Sequence, residues 1–481
     1  MAELFESIQA VLGAMGPTIM LPIVIFVIAV VLGAKPSKAV RAGVTIGIAF
    51  VGINLIIGLM WTALSEVSQQ IVAKTGVQLT AVDVGWPTAA AIAFGSPVGT
   101  FIIPLAILVN VLLLVTKATK TLNIDIWNFW HFAFVGSLFV VVTGNLLLGL
   151  AAAAVASAIA LFIGDYTAKA VQQQFGLPGV SITTASAHSF VLPAIPINAL
   201  LDRIPGVRDW NADPETIQKR FGVLGEPTIL GLVLGLILGA IAFLPPAADE
   251  SLTSAVIRVL GSGINLAAVM LLMPRMVKIL MEGLIPVSDA ARDFMAKRFK
   301  GQEFHLGLDA AILIGHPSAL AAALLLVPIT IILAIILPGN RMMPFSDFAA
   351  LPFFVCLLVP ITKGNVVRMV MLGTIGAIAG LYMASWMAPF QTLAAPAAGV
   401  AIPEGAAMIT NMGDGWVTTV WALLFPATIG GEVVGWLWIL ICAVIVVLLF
   451  VLFNRNREAW SRYAGAVPED QVGSSLMDQQ Q

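Results

Sequence analysis

Cysteine and charge are what this sequence has least of. Two cysteines occur in 481 residues, Cys356 and Cys442, and both lie inside apolar runs. That placement excludes a disulfide framework, a cysteine-ligated metal site and an exposed catalytic thiolate. Charged residues make up 10% of the chain, 59% is hydrophobic, and mean hydropathy is +0.99. Soluble proteins carry roughly 25% charge, so the composition is that of a polytopic membrane protein. No basic patch with interleaved aromatics offers a nucleic-acid surface. The first residues, MAELFESIQAVLGAMG, lack the basic region of a cleavable signal. Leu4, Ile8, Val11 and Met15 instead share one helical face, which predicts a short interfacial helix. Walker loop, metal-ligand helix, nucleophile elbow and serine triad are all missing. No cofactor, metal site or catalytic residue is therefore expected, and chemistry on a substrate would need another polypeptide.

What is there is apolar sequence in membrane-length runs of ~20 residues. The runs fall at 17–34, 42–63, 98–116, 127–146, 147–164, 226–244, 253–274, 320–338, 348–362, 366–387 and 432–453. This predicts an all-α integral membrane protein of about 11 transmembrane helices. Lysine and arginine cluster after alternate runs, at Lys35 to Arg41, Lys117 and Lys120, Lys169 to Arg220, Arg275 to Lys300, Lys363 and Arg368, and Arg455 to Arg462. Residues 369–454 contain neither. By the positive-inside rule the N-terminus is outside and the C-terminus cytoplasmic, with Lys74 and Arg341 as exceptions. Arg258, alone in its run, is expected to snorkel.

Short motifs recur in order. Gly16-Pro17-Thr18-Ile19 returns as Glu226-Pro227-Thr228-Ile229, Gly95-Ser96-Pro97 as Gly315-His316-Pro317, and Asp125 as Asp347. The offsets are 210, 220 and 222 residues. An odd number of runs separates the copies, so the second enters from the opposite side, as in inverted-repeat transporters. The expected organisation is a first repeat over 1–164, a cytoplasmic segment over 165–225, a second repeat over 226–387, an extracytoplasmic loop over 388–431, and a last span and tail over 432–481.

Three stretches are too polar or too broken for ordinary spans. One is 301–340, GQEFHLGLDAAILIGHPSALAAALLLVPITIILAIILPGN, where Asp309 enters an apolar run that breaks at Gly315-His316-Pro317. An ionisable residue and a Gly-X-Pro break at membrane depth point to a re-entrant hairpin holding a polar ligand. A plain helix boundary with Asp309 as a cap also fits. Asp83 to Pro97 is the first copy's counterpart, and 181–200, SITTASAHSFVLPAIPINAL, is a third candidate hairpin. Asn128 and His131 in Trp127-Asn128-Phe129-Trp130-His131 share a helical face. With the aromatics they suit a sugar, whose C–H faces stack on rings while its hydroxyls find polar partners; an interfacial aromatic belt fits too. His188 and His316 lie in the hairpins, and His305 in the polar run before Asp309. Glu226 is either a ligand or a carboxylate favoured by a helix N-terminus.

GPTIMLPIVIF, AGVTIGIAFVGINLIIGLM, VDVGWP, NIDIWNFWH, RFGVLGEP, MLLMPR and GQEFHLGLDAAILIGH run in one order over nearly the whole chain. In these stretches the sequence resembles the galactitol group of enzyme IIC permeases of the sugar phosphotransferase system. The resemblance implies an elevator-type homodimer in the bacterial inner membrane. It implies group translocation, in which a separate IIB protein, itself phosphorylated through IIA, phosphorylates the sugar alcohol as it arrives inside. It further implies that Asp309 holds substrate hydroxyls and that His131 is the histidine after the family's Trp-Asn pair. Asp309, His316, His188, His131, Asn128 and Glu226 are the expected polar contacts, with Trp86 or Trp127 as a stacking face. TTASAHSF at 183–190 departs from galactitol members, which have a histidine nearer residue 184, so another hexitol or a pentitol stays open. Physics alone equally accommodates a cation-coupled secondary transporter.

Overall fold

Helices dominate because lipid offers the backbone no hydrogen-bond partners and a helix supplies its own. The computed structural model describes residues 22–468 apart from 24, 28, 32, 76–79, 207–209, 211–226, 248, 299–303, 345–346, 399, 401, 403–405 and 413–416. The expected interfacial helix, the start of the first run and Glu226 lie outside the described residues. Among the described residues, six helices are long and apolar enough to cross a membrane: Pro97–Val115, Leu146–Phe175, Leu252–Leu272, Pro317–Ile336, Val366–Pro396 and Val417–Arg455. Three shorter apolar helical stretches cover Trp127–Thr143, Ala185–Leu201 and Gly231–Phe243.

In chain order, α1 (Pro36–Thr75) is followed by β1 (Ala81–Asp83), α2 (Gly85–Gly95), α3 (Pro97–Val115) and β2 (Thr121–Asn123). A 3-10 turn at Trp127–Phe129 leads into α4 (Trp130–Thr143) and α5 (Leu146–Phe175). Then come β3 (Val180–Ile182), α6 (Ala185–His188), α7 (Val191–Leu201), α8 (Pro227–Phe243) and α9 (Leu252–Arg298). β4 (His305–Leu308) and a 3-10 turn at Ala310–Ile312 precede α10 (Pro317–Ile336), β5 (Met342–Met343), α11 (Leu351–Cys356) and α12 (Leu358–Thr362). The chain ends with α13 (Val366–Ala397), β6 (Met408–Thr410), α14 (Val417–Arg455) and α15 (Arg457–Tyr463).

The helix boundaries have local causes. Ser96 accepts from Gly99 N–H and Pro97 opens α3, while Asn145 accepts from Leu148 N–H and Asn365 from Arg368 N–H. Gly144 and Gly176, in left-handed conformation, stop α4 and α5.

The all-α expectation needs correcting, because among the described residues six short strands form two parallel sheets. In one, β1 lies between β5 and β6; in the other, β4 lies between β2 and β3. The physical reason is the non-helical backbone that the polar stretches bring into an apolar interior. Its N–H and C=O groups need partners, and strands from distant parts of the chain supply them. The 305–317 stretch is accordingly strand, 3-10 turn and helix start, with His316 capping α10. The run at 348–362 is not one span but a 3-10 turn and two short helices, α11 and α12. Of the 388–431 stretch, expected as a loop, α13 takes the part up to Ala397, passing through Pro389 and Pro396, and α14 the part from Val417. α14 kinks at Gly431, whose φ of 65° and ψ of -153° no helix contains. Arg258 does not merely snorkel: it bridges Glu66 at 2.9 Å and Glu250 at 3.2 Å.

Candidate functional site

The sheet formed by β2, β4 and β3 organises the site. Its strands run parallel, with Asn123 opposite Gly307 and Ile182 opposite Leu308, so the loops leaving all three emerge at one end. Those loops carry Asp125, Thr183 and Thr184, and Asp309. Polar side chains tie the strands together underneath. Asn110 donates to Thr121 O at 2.8 Å and accepts from Asn123 N–H at 2.9 Å. Thr183 donates to Asn123 Oδ1 at 2.9 Å, and the same oxygen accepts from Asp125 N–H at 3.0 Å. At the strand starts, the Thr121 hydroxyl donates to the buried Asp165 at 2.7 Å.

At the strand ends two carboxylates converge on one amide. Asn128 Nδ2 lies 3.0 and 2.9 Å from the oxygens of Asp125 and 2.8 Å from Asp309 Oδ2. Asp125 is 1% exposed, whereas Asp309 is partly open, so the second carboxylate is the reachable one. Asp309 Oδ1 accepts from Ala311 N–H at 2.8 Å, which fixes the turn after β4. Thr184 donates to Asp125 Oδ2 at 3.0 Å and accepts from Ala310 N–H at 2.8 Å.

The structure brings together some of the residues singled out in the sequence and not others. Asp309 and Asn128 are in direct contact. His131 joins through the backbone, its Nδ1–H donating to Asn128 O at 2.8 Å, and it stacks on Trp130 at 3.8 Å between centroids. Trp127 packs against Phe94 from the end of α2 at 5.6 Å, and so forms an apolar wall beside Asn128. His316 is partly buried, packs edge-on against Phe175 at 5.2 Å, and caps α10 by accepting from Ser318 N–H on Nδ1 at 3.2 Å. An accepting Nδ1 leaves the proton of the neutral ring on Nε2, a free donor.

His188 is buried, with Nε2–H donating to Ile182 O at 3.0 Å. It secures the end of β3 and points that nitrogen at the backbone. Trp86 sits on the first turn of α2 next to the other sheet, about 12 Å of helix axis from Phe94, so Trp127 is the ring placed beside Asn128. His305 opens β4 with Nδ1 3.9 Å from Asp165, and so belongs to the sheet. Asp125 and Thr184 were missed as site residues. Asp125 stood out only as a repeat marker, and Thr184 was one hydroxyl in a polar run. Chemically the cluster is rich in acceptors and has the Trp127 ring beside it, which suits a neutral molecule with several hydroxyls. Among the described residues no group of three or more histidine, cysteine or carboxylate side chains is arranged to hold a metal ion.

Comparison with known proteins identifies the family. The family described as "PTS system sugar-specific permease component" matches residues 10–405. A permease IIC component of Escherichia coli (strain K12) is 38% identical over 445 residues, covering 92% of this chain and 98% of that protein. The galactitol-specific EIIC component of the phosphotransferase system from the same strain is 35% identical over 457 residues, covering 94% and 97%. Matches of that extent, on a chain with several membrane-length helices, make this a multi-pass member of the sugar-specific IIC permease components of the phosphotransferase system.

Proposed function

We propose that this chain carries a sugar alcohol, galactitol, across the bacterial inner membrane for phosphorylation on arrival. The observation that carries the reading is the bridge from Asp309 through Asn128 to Asp125, an acceptor cluster next to Trp127. Asp309 and Asn128 hold substrate hydroxyls, His316 Nε2–H donates to one, and Trp127 faces a C–H surface. The galactitol-specific relative lends the substrate its name.

In this mechanism the site faces outward, takes a neutral polyol and slides inward as the core of an elevator. The protein works as a homodimer of about eleven-span subunits, N-terminus outside and C-terminus in the cytoplasm. A IIB protein carrying phosphocysteine, charged from IIA, then docks on the basic cytoplasmic loops. A substrate hydroxyl oxygen bonds to phosphorus, the S–P bond breaks, and the hydroxyl proton leaves to water. The product's phosphate meets Asp309 with like charge and in a site built for a neutral ligand, which favours release inside.

The inverted repeat belongs to the same proposal, with copies over 1–164 and 226–387. Its support is the interleaving of the sheets: each central strand lies in one copy, one neighbour (β2 or β5) lies in the other copy, and the second neighbour (β3 or β6) follows that other copy in the chain.

Uptake of labelled galactitol into vesicles, with and without phosphorylated IIB, tests the reading. Label recovered inside as phosphate, and only with IIB, is the expected result. Free galactitol accumulating on a proton or sodium gradient without IIB would replace it with the cation-coupled alternative.

A further inference from the structure

The bonds around Asp309 close into a ring. Asp309 Oδ2 accepts from Asn128, Asn128 also donates to Asp125, Asp125 accepts from the Thr184 hydroxyl, and that hydroxyl accepts from Ala310 N–H, one peptide bond from Asp309. The direction of each bond is fixed. A backbone N–H can only donate, so the Thr184 oxygen accepts it and its single proton goes to Asp125. Asn128 has two amide protons, one engaged by the Asp125 carboxylate and one by Asp309. With both carboxylates ionised, every donor in the ring is spent within it, and what remains for a ligand at Asp309 is acceptor capacity.

Asp125 and Thr184 are 1% and 2% exposed, so they act from behind the residues that meet the ligand. We infer that Asp125 and Thr184 are positioning residues. They hold Asn128 and the Asp309 turn in one hydrogen-bonding polarity, and this makes the site select ligand hydroxyls that donate. The inference rests on the polyol reading above and deepens it. Valine at 184 keeps the shape but removes both the donor to Asp125 and the acceptor for Ala310 N–H. The Asp309 turn then loses its anchor on Thr184 and Asp125 loses a donor that orients it, while Asp309 keeps its own bonds to Ala311 N–H and Asn128. Serine keeps both bonds.

The test uses the full-length protein in detergent and measures binding of galactitol and of its monodeoxy derivatives by calorimetry, with thermal melting alongside. Wild type is expected to bind at least one derivative about tenfold more weakly than galactitol, the effect of one charge-assisted hydrogen bond. Thr184→Val is expected to compress that discrimination to about threefold or less, and Thr184→Ser to keep it. A merely structural role would lower the melting temperature and leave the ratio unchanged. Should Thr184→Val fail to fold, Asp125→Asn, similar in size, is expected to compress the ratio in the same way. Wild-type discrimination in the folded variant overturns the positioning role alone. Wild type that binds no galactitol overturns the substrate assignment, and this inference with it.

Discussion

Asp83 and Asp309 make the same turn at the ends of the two central strands. Asp83 Oδ1 accepts from the N–H of Gly85 at 3.0 Å, and Asp309 Oδ1 accepts from that of Ala311 at 2.8 Å, each two residues on. The second oxygen differs. Asp83 Oδ2 takes the backbone N–H of Asp347 at 2.9 Å, whereas Asp309 Oδ2 takes the side chain of Asn128 at 2.8 Å. A backbone donor fixes Asp83 as structure. A side-chain donor leaves Asp309 in a contact that one substitution can change.

That contact gives the first prediction. Asn128→Asp replaces a shared donor with a third carboxylate beside Asp125 and Asp309. Each charge-assisted hydrogen bond lost is worth about 1.5–3 kcal/mol, so galactitol affinity should fall about 100-fold or more. Equilibrium binding on purified protein measures it, and affinity within a few-fold of wild type would remove Asn128 from the site.

His316 has two roles that substitutions separate. It caps α10 through Nδ1, and in the proposed site it donates to substrate through Nε2. Asparagine retains a capping oxygen, and alanine does not; the cap is worth about 0.5–2 kcal/mol. His316→Ala should lower both melting temperature and affinity, and His316→Asn affinity alone. Unchanged affinity in His316→Asn would leave the residue only its cap.

The contact of α8 with α9 relies on missing side chains. A Cβ at Gly235 would approach Gly263 Cα at 2.8 Å and crowd the Ser262 carbonyl, both backbone. Gly235→Ala forces the helices apart and should cost about 1–3 kcal/mol. At Gly261 a Cβ would meet nothing within 4 Å, so Gly261→Ala should stabilise by up to about 1 kcal/mol through helix propensity. Thermal melts of the two variants should move in opposite directions.

Arg258 ties α1 to α9. It reaches Glu66 and Glu250 and lies over the Phe243 ring at 3.9 Å. Glu66 is 54% exposed, so solvent screens part of the attraction and the network contributes about 1 kcal/mol. Arg258→Leu should lower the melting temperature at low salt and show a smaller deficit at high salt. A deficit independent of salt would assign the loss to packing on Phe243 instead.

The six membrane-length helices of the described residues were legible in the sequence because apolar runs between lysine clusters need no tertiary information, whereas the run at 348–362 is two short helices. Asp309 and Asn128 were legible as polar residues where polarity is costly. The partnership of Asp125 with Thr184 was not, because it depends on strands three or four residues long pairing across distant parts of the chain. Such strands carry no readable alternation inside sequence that is apolar throughout. Trp86 stands apart from that cluster for a related reason: its motif opens α2, and α2 presents its other end, Phe94, to Trp127. The run ending at 387 stopped short of the helix, because α13 passes through Pro389 and Pro396, as membrane helices tolerate when neighbours meet the freed carbonyls.

The interleaved sheets also bear on how the protein is made. Synthesis runs from the N-terminus, so β2 and β3 leave the ribosome well before β4, the strand that must lie between them, and β1 waits longer still for β5 and β6. Until then, backbone groups destined for an apolar interior have no permanent partners. The early part of the chain must therefore enter the bilayer with its sheets incomplete, and severing the chain between β3 and β4 would leave two fragments, each dependent on the other to finish its own fold.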